Sequence, residues 1–99
     1  MKEMTFLEFD AVREERNIRL IDVRETNEWE DVHARGTELW PLSKIRAGEL
    51  PAADDRQVAI ICRSGARSAM AAQILEGSGW DEVTNISDGT LGAIAAGDD

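Results

Sequence analysis

The only cysteine of the chain, Cys62, opens the hexapeptide "CRSGAR" (Cys62, Arg63, Ser64, Gly65, Ala66 and Arg67), so two of the eleven basic residues flank the one thiol. The apolar run "VAII" leads into it and a helical pattern follows. A thiol that merely filled a core would sit more naturally inside the apolar run than after it. Here Gly65 permits a tight bend, and the loop supplies up to six successive backbone N–H groups before a helix starting at about Arg67 or Ser68. Successive amides in a curved loop form an anion nest, and a helix N-terminus adds its positive end. The chemistry this suits is that of a thiolate nucleophile.

An unperturbed thiol titrates near about 8.5 and is only a few per cent thiolate at neutral pH. Holding it at roughly 6 requires about 3.4 kcal/mol of preferential stabilisation of the anion. A helix terminus supplies about 0.3–1 kcal/mol, whereas each hydrogen bond to a charged group is worth about 1.5–3 kcal/mol. The dipole alone falls short; two or three amides aimed at the sulfur suffice. Arg63 and Arg67 would otherwise read as solvated surface charges. Beside the thiol, in a chain of formal charge −9, they can still draw an anion from within a Debye length of about 8 Å.

Other candidates weigh less. Asp22 and Arg24 end a strand expected beside that of Cys62, as groups supporting the site or as an ordinary ion pair, with Arg24 reaching Glu28. His33 has no triad or metal partner near it in sequence and reads as a cap or hydrogen-bonded strut. Trp29, Trp40 and Trp80 read as core or rim packing, and Asp54-Asp55 and Asp98-Asp99 as solvated loop and tail charges. One cysteine and one histidine cannot supply the usual ligand set of a zinc site, so neither metal nor cofactor is expected.

Several elements must position the thiol. Thr5 and Glu8 have capping-box spacing before "FDAVREER", which predicts a helix with Phe9 and Val12 on one face. "RLIDVRE" suits a buried strand, and "TNEWEDVHARG" one or two helical turns with Thr26 as a cap and Gly36 as a stop. "TELWPL" reads as a short extended piece ending near Pro41, and "SKIRAGEL" as a weak helix capped by Ser43. Val58 to Ile61 is the clearest strand, and "SAMAAQILEG" the clearest helix, with Met70, Ala71, Ile74 and Leu75 on its apolar face and Gly77 and Gly79 ending it. "EVTNIS" is a last strand, and "DGTLGAIAAGDD" a turn with at most a frayed terminal helix. Strands alternating with helices predict an α/β fold with a mainly parallel central sheet and helices on both faces. Ligands of such sheets bind beyond the carboxyl ends of the strands, where Cys62 stands.

Ninety-nine residues, 42% hydrophobic and 31% charged, predict one globular domain over residues 1–99. The net charge of −9 argues against nucleic acid and anionic membrane surfaces as partners. No stretch approaches the roughly 18–20 apolar residues of a membrane span, and "MKEMTFLEFD" has no signal-peptide core, so a cytoplasmic protein is expected.

The loop "CRSGAR", together with "LIDVRE" (Leu20 to Glu25), Glu28-Trp29, "HARG" (His33 to Gly36), Pro41 and "NISDG" (Asn85 to Gly89), resembles the rhodanese-like single-domain sulfurtransferase family in order and spacing. The resemblance covers nearly the whole chain. It implies a rhodanese fold in which Cys62 takes a sulfane sulfur, as from thiosulfate, becomes a persulfide, and passes the sulfur to cyanide or another thiophilic acceptor, a small thiol or a protein. It further implies that the amides of Arg63, Ser64, Gly65, Ala66 and Arg67 cradle the persulfide while the arginine side chains attract the anionic donor. The chain departs from the family pattern at Asp88-Gly89 and Ala93, where paired glycines and then a tryptophan are frequent, and at Arg35 and Thr37, where Pro and Ala are common.

Two other readings share the loop. Cysteine phosphatases also hold a thiolate in an amide cradle beside an arginine, but with five residues between Cys and Arg; four separate Cys62 from Arg67, a ring better suited to sulfur than to phosphate. A persulfide carrier that takes sulfur from one protein and delivers it to another would need the same residues.

Overall fold

The computed structural model describes residues 1–99. Five strands form one wholly parallel sheet: β1 (Lys2–Met4), β2 (Arg19–Asp22), β3 (Thr37–Leu39), β4 (Val58–Ile61) and β5 (Val83–Ile86), in the spatial order β1-β5-β4-β2-β3. The helices are α1 (Phe6–Val12), α2 (Thr26–Asp31), α3 (Leu42–Arg46), α4 (Ala66–Gly77) and α5 (Gly89–Ala95). Every residue of β2, β4 and β5 is buried, as expected for parallel strands covered on both faces. Alternation along the strands divides the core. Ile21, Val23, Val58, Ile60, Cys62 and Val83 face Leu42 and Ile45 of α3 and Ala71, Ala72 and Leu75 of α4. Leu20, Ala59, Ile61 and Ile86 face Phe6 and Phe9 of α1 and Ala93 of α5. No helix is long and apolar enough to cross a membrane.

The expected α/β architecture is present, and the Thr5–Glu8 capping box forms with both of its hydrogen bonds. Elsewhere tertiary contacts changed the outcome. The first strand, β1, was not legible as one; three mostly exposed residues become a strand because β5 offers a free edge. The cap of α2 is Glu25, one residue before Thr26, in a reciprocal pair with Glu28. The cap of α3 is Pro41 rather than Ser43, whose hydroxyl instead donates to the Glu25 carboxylate. On α4 the inward face is Ser68, Ala71, Ala72 and Leu75; Met70 is exposed, and Ile74 packs at the edge of the core.

The largest correction concerns the C-terminus. In place of a turn with at most a frayed terminal helix, α5 is a regular helix whose Ala93 is fully buried against Phe6 and Phe9. Its entry is tied down by the Asp88 carboxylate, which accepts the Phe6 N–H at 2.7 Å. Asp98 is not a solvated tail charge. It is 4% exposed, and its Oδ1 accepts from the Arg13 and Arg35 guanidiniums, each at 2.7 Å. Arg35, one of the departures noted above, therefore anchors the chain end, while Thr37 accepts the Trp29 indole N–H at 3.0 Å.

Burial pushes the Asp98 carboxyl up, but the hydrogen bonds and charges of Arg35 and Arg13 outweigh it and hold the group below the usual carboxylate range. A carboxyl depressed in the folded state stabilises the fold above its unfolded pKa and loses that contribution as pH falls through the folded value. Asp98→Asn is accordingly expected to cost about 1.5–3 kcal/mol at neutral pH. The deficit should shrink as pH falls below about 4, where the unfolded chain takes up the proton first, and close only once the pH passes the lower value of the folded carboxyl. Urea unfolding of both proteins across pH 3–7 measures it.

Candidate active site

The central strand β4 runs fully buried to Ile61 and releases the chain at Cys62, whose side chain is 1% exposed. The chain then turns through Ser64 and Gly65 and enters α4 at Ala66, one residue ahead of the expected start. Gly65 is the N-cap, with φ of 104°, and a Cβ there would meet the Ser87 carbonyl oxygen at 2.4 Å. Only glycine combines that backbone conformation with that approach. From the other side α5 clamps the loop. Thr90 donates its N–H and its hydroxyl to the Cys62 carbonyl at 2.8 and 3.1 Å, and the Leu91 N–H reaches the Arg63 carbonyl at 3.2 Å.

The Cys62 Sγ accepts the Gly65 N–H at 3.1 Å and lies 3.3 Å from the Ser68 hydroxyl. Burial pushes the thiol up, but the Ser68 hydroxyl and the amides of Ser68, Gly65 and Ser64 together bring it below its ordinary value. Ionisation thus rests on aimed donors, as the magnitudes above require, with the terminus of the 12-residue α4 adding a smaller contribution. On the bare thiol the Gly65 N–H hydrogen-bonds the sulfur and the Ser64 amide helps to lower its pKa, while the amides of Arg63, Ala66 and Arg67 make no hydrogen bond to it.

Ser68 was missed in the sequence, where it reads only as an early helix residue. It is fully buried, within hydrogen-bond distance of the Gly65 carbonyl and of Asn85 Oδ1 on β5, and Asn85 in turn donates to Glu3 at 3.0 Å. A polar residue six positions after the cysteine, on a face otherwise lined by Ala71, Ala72 and Leu75, was the available signal. Ser68→Ala is expected to raise the thiol pKa by about one unit, since one charge-assisted hydrogen bond is lost. The initial rate of alkylation by iodoacetamide against pH gives the value directly.

The two loop arginines have different fates. Arg67 forms a bidentate pair with Glu28 of α2, at 2.7 and 2.9 Å, so its guanidinium is already committed to a carboxylate although the side chain stays partly exposed. These hydrogen bonds lower the Glu28 carboxyl to about 2 against the burial that would raise it. Arg63 is exposed and has no carboxylate partner within ion-pair distance. Arg24 pairs with Asp22 rather than with the Glu28 carboxylate. Both are buried, and the guanidinium also donates to the Val32 carbonyl at 2.7 Å. His33 stacks on Trp29 at 3.8 Å between ring centroids, its Nδ1 2.7 Å from the Trp29 carbonyl oxygen, in the strut role expected of it.

A cavity of about 150 Å³ opens beside the loop, walled by Arg24, Glu28, Arg63, Thr90 and Leu91 among others. A larger one, about 560 Å³, lies at the amino ends of β1, β4 and β5 around Lys2, Asp54, Arg56 and Trp80. That is the wrong end of a parallel sheet for chemistry on Cys62. The smaller cavity abuts the Cys62 loop through Arg63.

Known proteins share sequence and fold with this chain. The chain is 38% identical over 89 residues to the uncharacterized protein YqhL of Bacillus subtilis, covering 90% of this chain and 69% of that one. It is 37% identical over 80 residues to a Mycobacterium tuberculosis protein named "probable adenylyltransferase/sulfurtransferase MoeZ", covering 77% of this chain but only 20% of that one. Among solved structures, a rhodanese-like domain protein from Staphylococcus aureus superposes with a TM-score of 0.81 at 26% identity, covering 93% of this chain and 90% of that one. Residues 5–95 match the family described as "Rhodanese-like domain", and the chain belongs to that family.

Proposed function

We propose that residues 1–99 act as one sulfurtransferase unit in which Cys62 is the nucleophile and carries sulfane sulfur as a persulfide. The observation that carries this reading is the pair of donors, the Gly65 N–H and the Ser68 hydroxyl, converging on one buried sulfur at a helix N-terminus. With thiosulfate, the Cys62 thiolate attacks the terminal sulfur, an S–S bond forms on the protein, and the S–S bond of thiosulfate breaks with its electron pair leaving as sulfite. Cyanide then removes the outer sulfur as thiocyanate and regenerates the thiolate. The free Arg63 guanidinium attracts the anionic donor, and the amides of the loop from Arg63 to Arg67 hold the added sulfur. Splitting the transfer through a covalent intermediate predicts ping-pong kinetics. A thiol that must stay free suits the reducing cytoplasm.

The test is intact mass after incubation with thiosulfate. A gain of about 32 Da that cyanide removes is expected for one added sulfur. A chain that never gains this mass, with thiosulfate or with any other sulfane-sulfur donor, would refute the reading. Sluggish loading by thiosulfate with rapid loading from another protein's persulfide would instead favour the carrier role.

A further inference from the structure

An ion pair joins the Cys62 loop to the cavity wall, with Glu28 on the wall and Arg67 on the loop. Arg67 belongs to the loop that holds Cys62, yet both of its terminal nitrogens are taken by Glu28, a residue of a different helix. Arg24, which does line the cavity, is likewise paired with Asp22. Arg63 is the one cation at the cavity with no carboxylate partner, and Asp31 puts a negative charge on the same wall. Of the rest, Val32, Leu91 and Ile94 are apolar, and Leu91 and Ile94 are 45% and 41% exposed although they sit at the rim of the site.

A dianion as small as thiosulfate gains little here. It would meet one uncommitted cation, repulsion from Asp31 and from the thiolate itself, and an apolar wall that its sulfonate cannot use. A donor with a single negative charge and an organic group matches the wall better, because burying apolar surface is favourable in proportion to area while the charge is met by Arg63. We infer that Glu28 is a specificity-determining residue: by occupying Arg67 it biases the site toward monoanionic sulfur donors that carry an organic group, and against dianionic ones. The inference rests on Cys62 being the sulfur-accepting nucleophile.

Benzenethiosulfonate and thiosulfate test this, since both present a terminal sulfane sulfur on a sulfonyl sulfur and differ by one charge and a phenyl ring. Attack by the Cys62 thiolate breaks the S–S bond of either donor, with the electron pair leaving as benzenesulfinate or sulfite, so the chemistry at Cys62 is the same. Wild-type protein is expected to show a kcat/KM at least about tenfold higher for benzenethiosulfonate, about 1.4 kcal/mol of preference. Glu28→Gln keeps an oxygen to accept the Glu25 N–H that now reaches Glu28 Oε1 at 3.1 Å, but removes the charge and the second acceptor that hold Arg67. KM for thiosulfate should then fall about three- to fivefold, the scale of one screened surface charge, while KM for benzenethiosulfonate changes by less than about twofold.

A wild-type preference for thiosulfate overturns the inference without any variant. So does a Glu28→Gln protein, folded by circular dichroism, in which KM for thiosulfate is unchanged or higher. Failure of both donors to load Cys62 would overturn the sulfurtransferase reading as well, whereas loading by both with no effect of Glu28 overturns the selectivity alone.

Discussion

Cys62→Ser is expected to abolish sulfur transfer, lowering turnover by at least about a thousandfold, because removing a covalent nucleophile eliminates the step on which the others depend. The hydroxyl would occupy the same donor set, the Gly65 N–H and the Ser68 hydroxyl, so the surrounding polar groups keep a partner and the fold should survive. A hydroxyl is far less acidic than a thiol, and donors that bring the Cys62 thiol below its ordinary value cannot ionise a serine at neutral pH. Thiocyanate formation, intact mass and a thermal melt on one preparation separate the outcomes. Retained turnover with normal folding would mean that sulfur passes through another group. Lost turnover with lost folding would show that the thiol was needed for packing as well.

The second large effect concerns a residue with no functional group. Gly89 has φ of +58°, and a Cβ there would stand 2.4 Å from the Arg63 carbonyl oxygen and 2.5 Å from that of Cys62. Both contacts are backbone, and both carbonyls are fixed by hydrogen bonds from Thr90 and Leu91. Neither can yield without moving the loop. Left-handed backbone costs a residue with a Cβ about 1–2 kcal/mol, and overpacking adds about 1–3 kcal/mol. Gly89→Ala is therefore expected to destabilise by about 2–5 kcal/mol and, in a domain of this size, to lower the midpoint by roughly 10 °C or more. The displaced loop should also lose part of its hold on the sulfur, raising the thiol pKa. Calorimetry together with an alkylation pH profile tests both, and a variant with wild-type stability would contradict the packing described. The adjacent Asp88 has φ of −101°, a backbone conformation open to any residue. Its carboxylate is put to use holding α1.

Much of this protein was legible as spacing along the chain. The α/β alternation, the Thr5–Glu8 cap, the placement of Cys62 just beyond a buried strand and the bend at Gly65 all depend on residues a few positions apart. The rules that govern them act over the same distance. The acidic composition and the lone thiol also narrowed the chemistry before any coordinates. Partner choice was decided by the fold. Glu28 and Arg67 lie 39 positions apart, Asp98 and Arg35 63, and Ser68 and Asn85 17, and each pair meets only because the sheet and the helices packed on it bring distant segments together. The sequence shows two arginines beside a cysteine, without saying which of them a distant carboxylate takes. Likewise the inward face of α4 follows what packs against it, and α5 is a helix because Phe6, Phe9 and the Asp98 ion pairs hold it there. Local propensity is a short-range energy; burial and charge pairing are settled only when distant segments exclude water from the same volume.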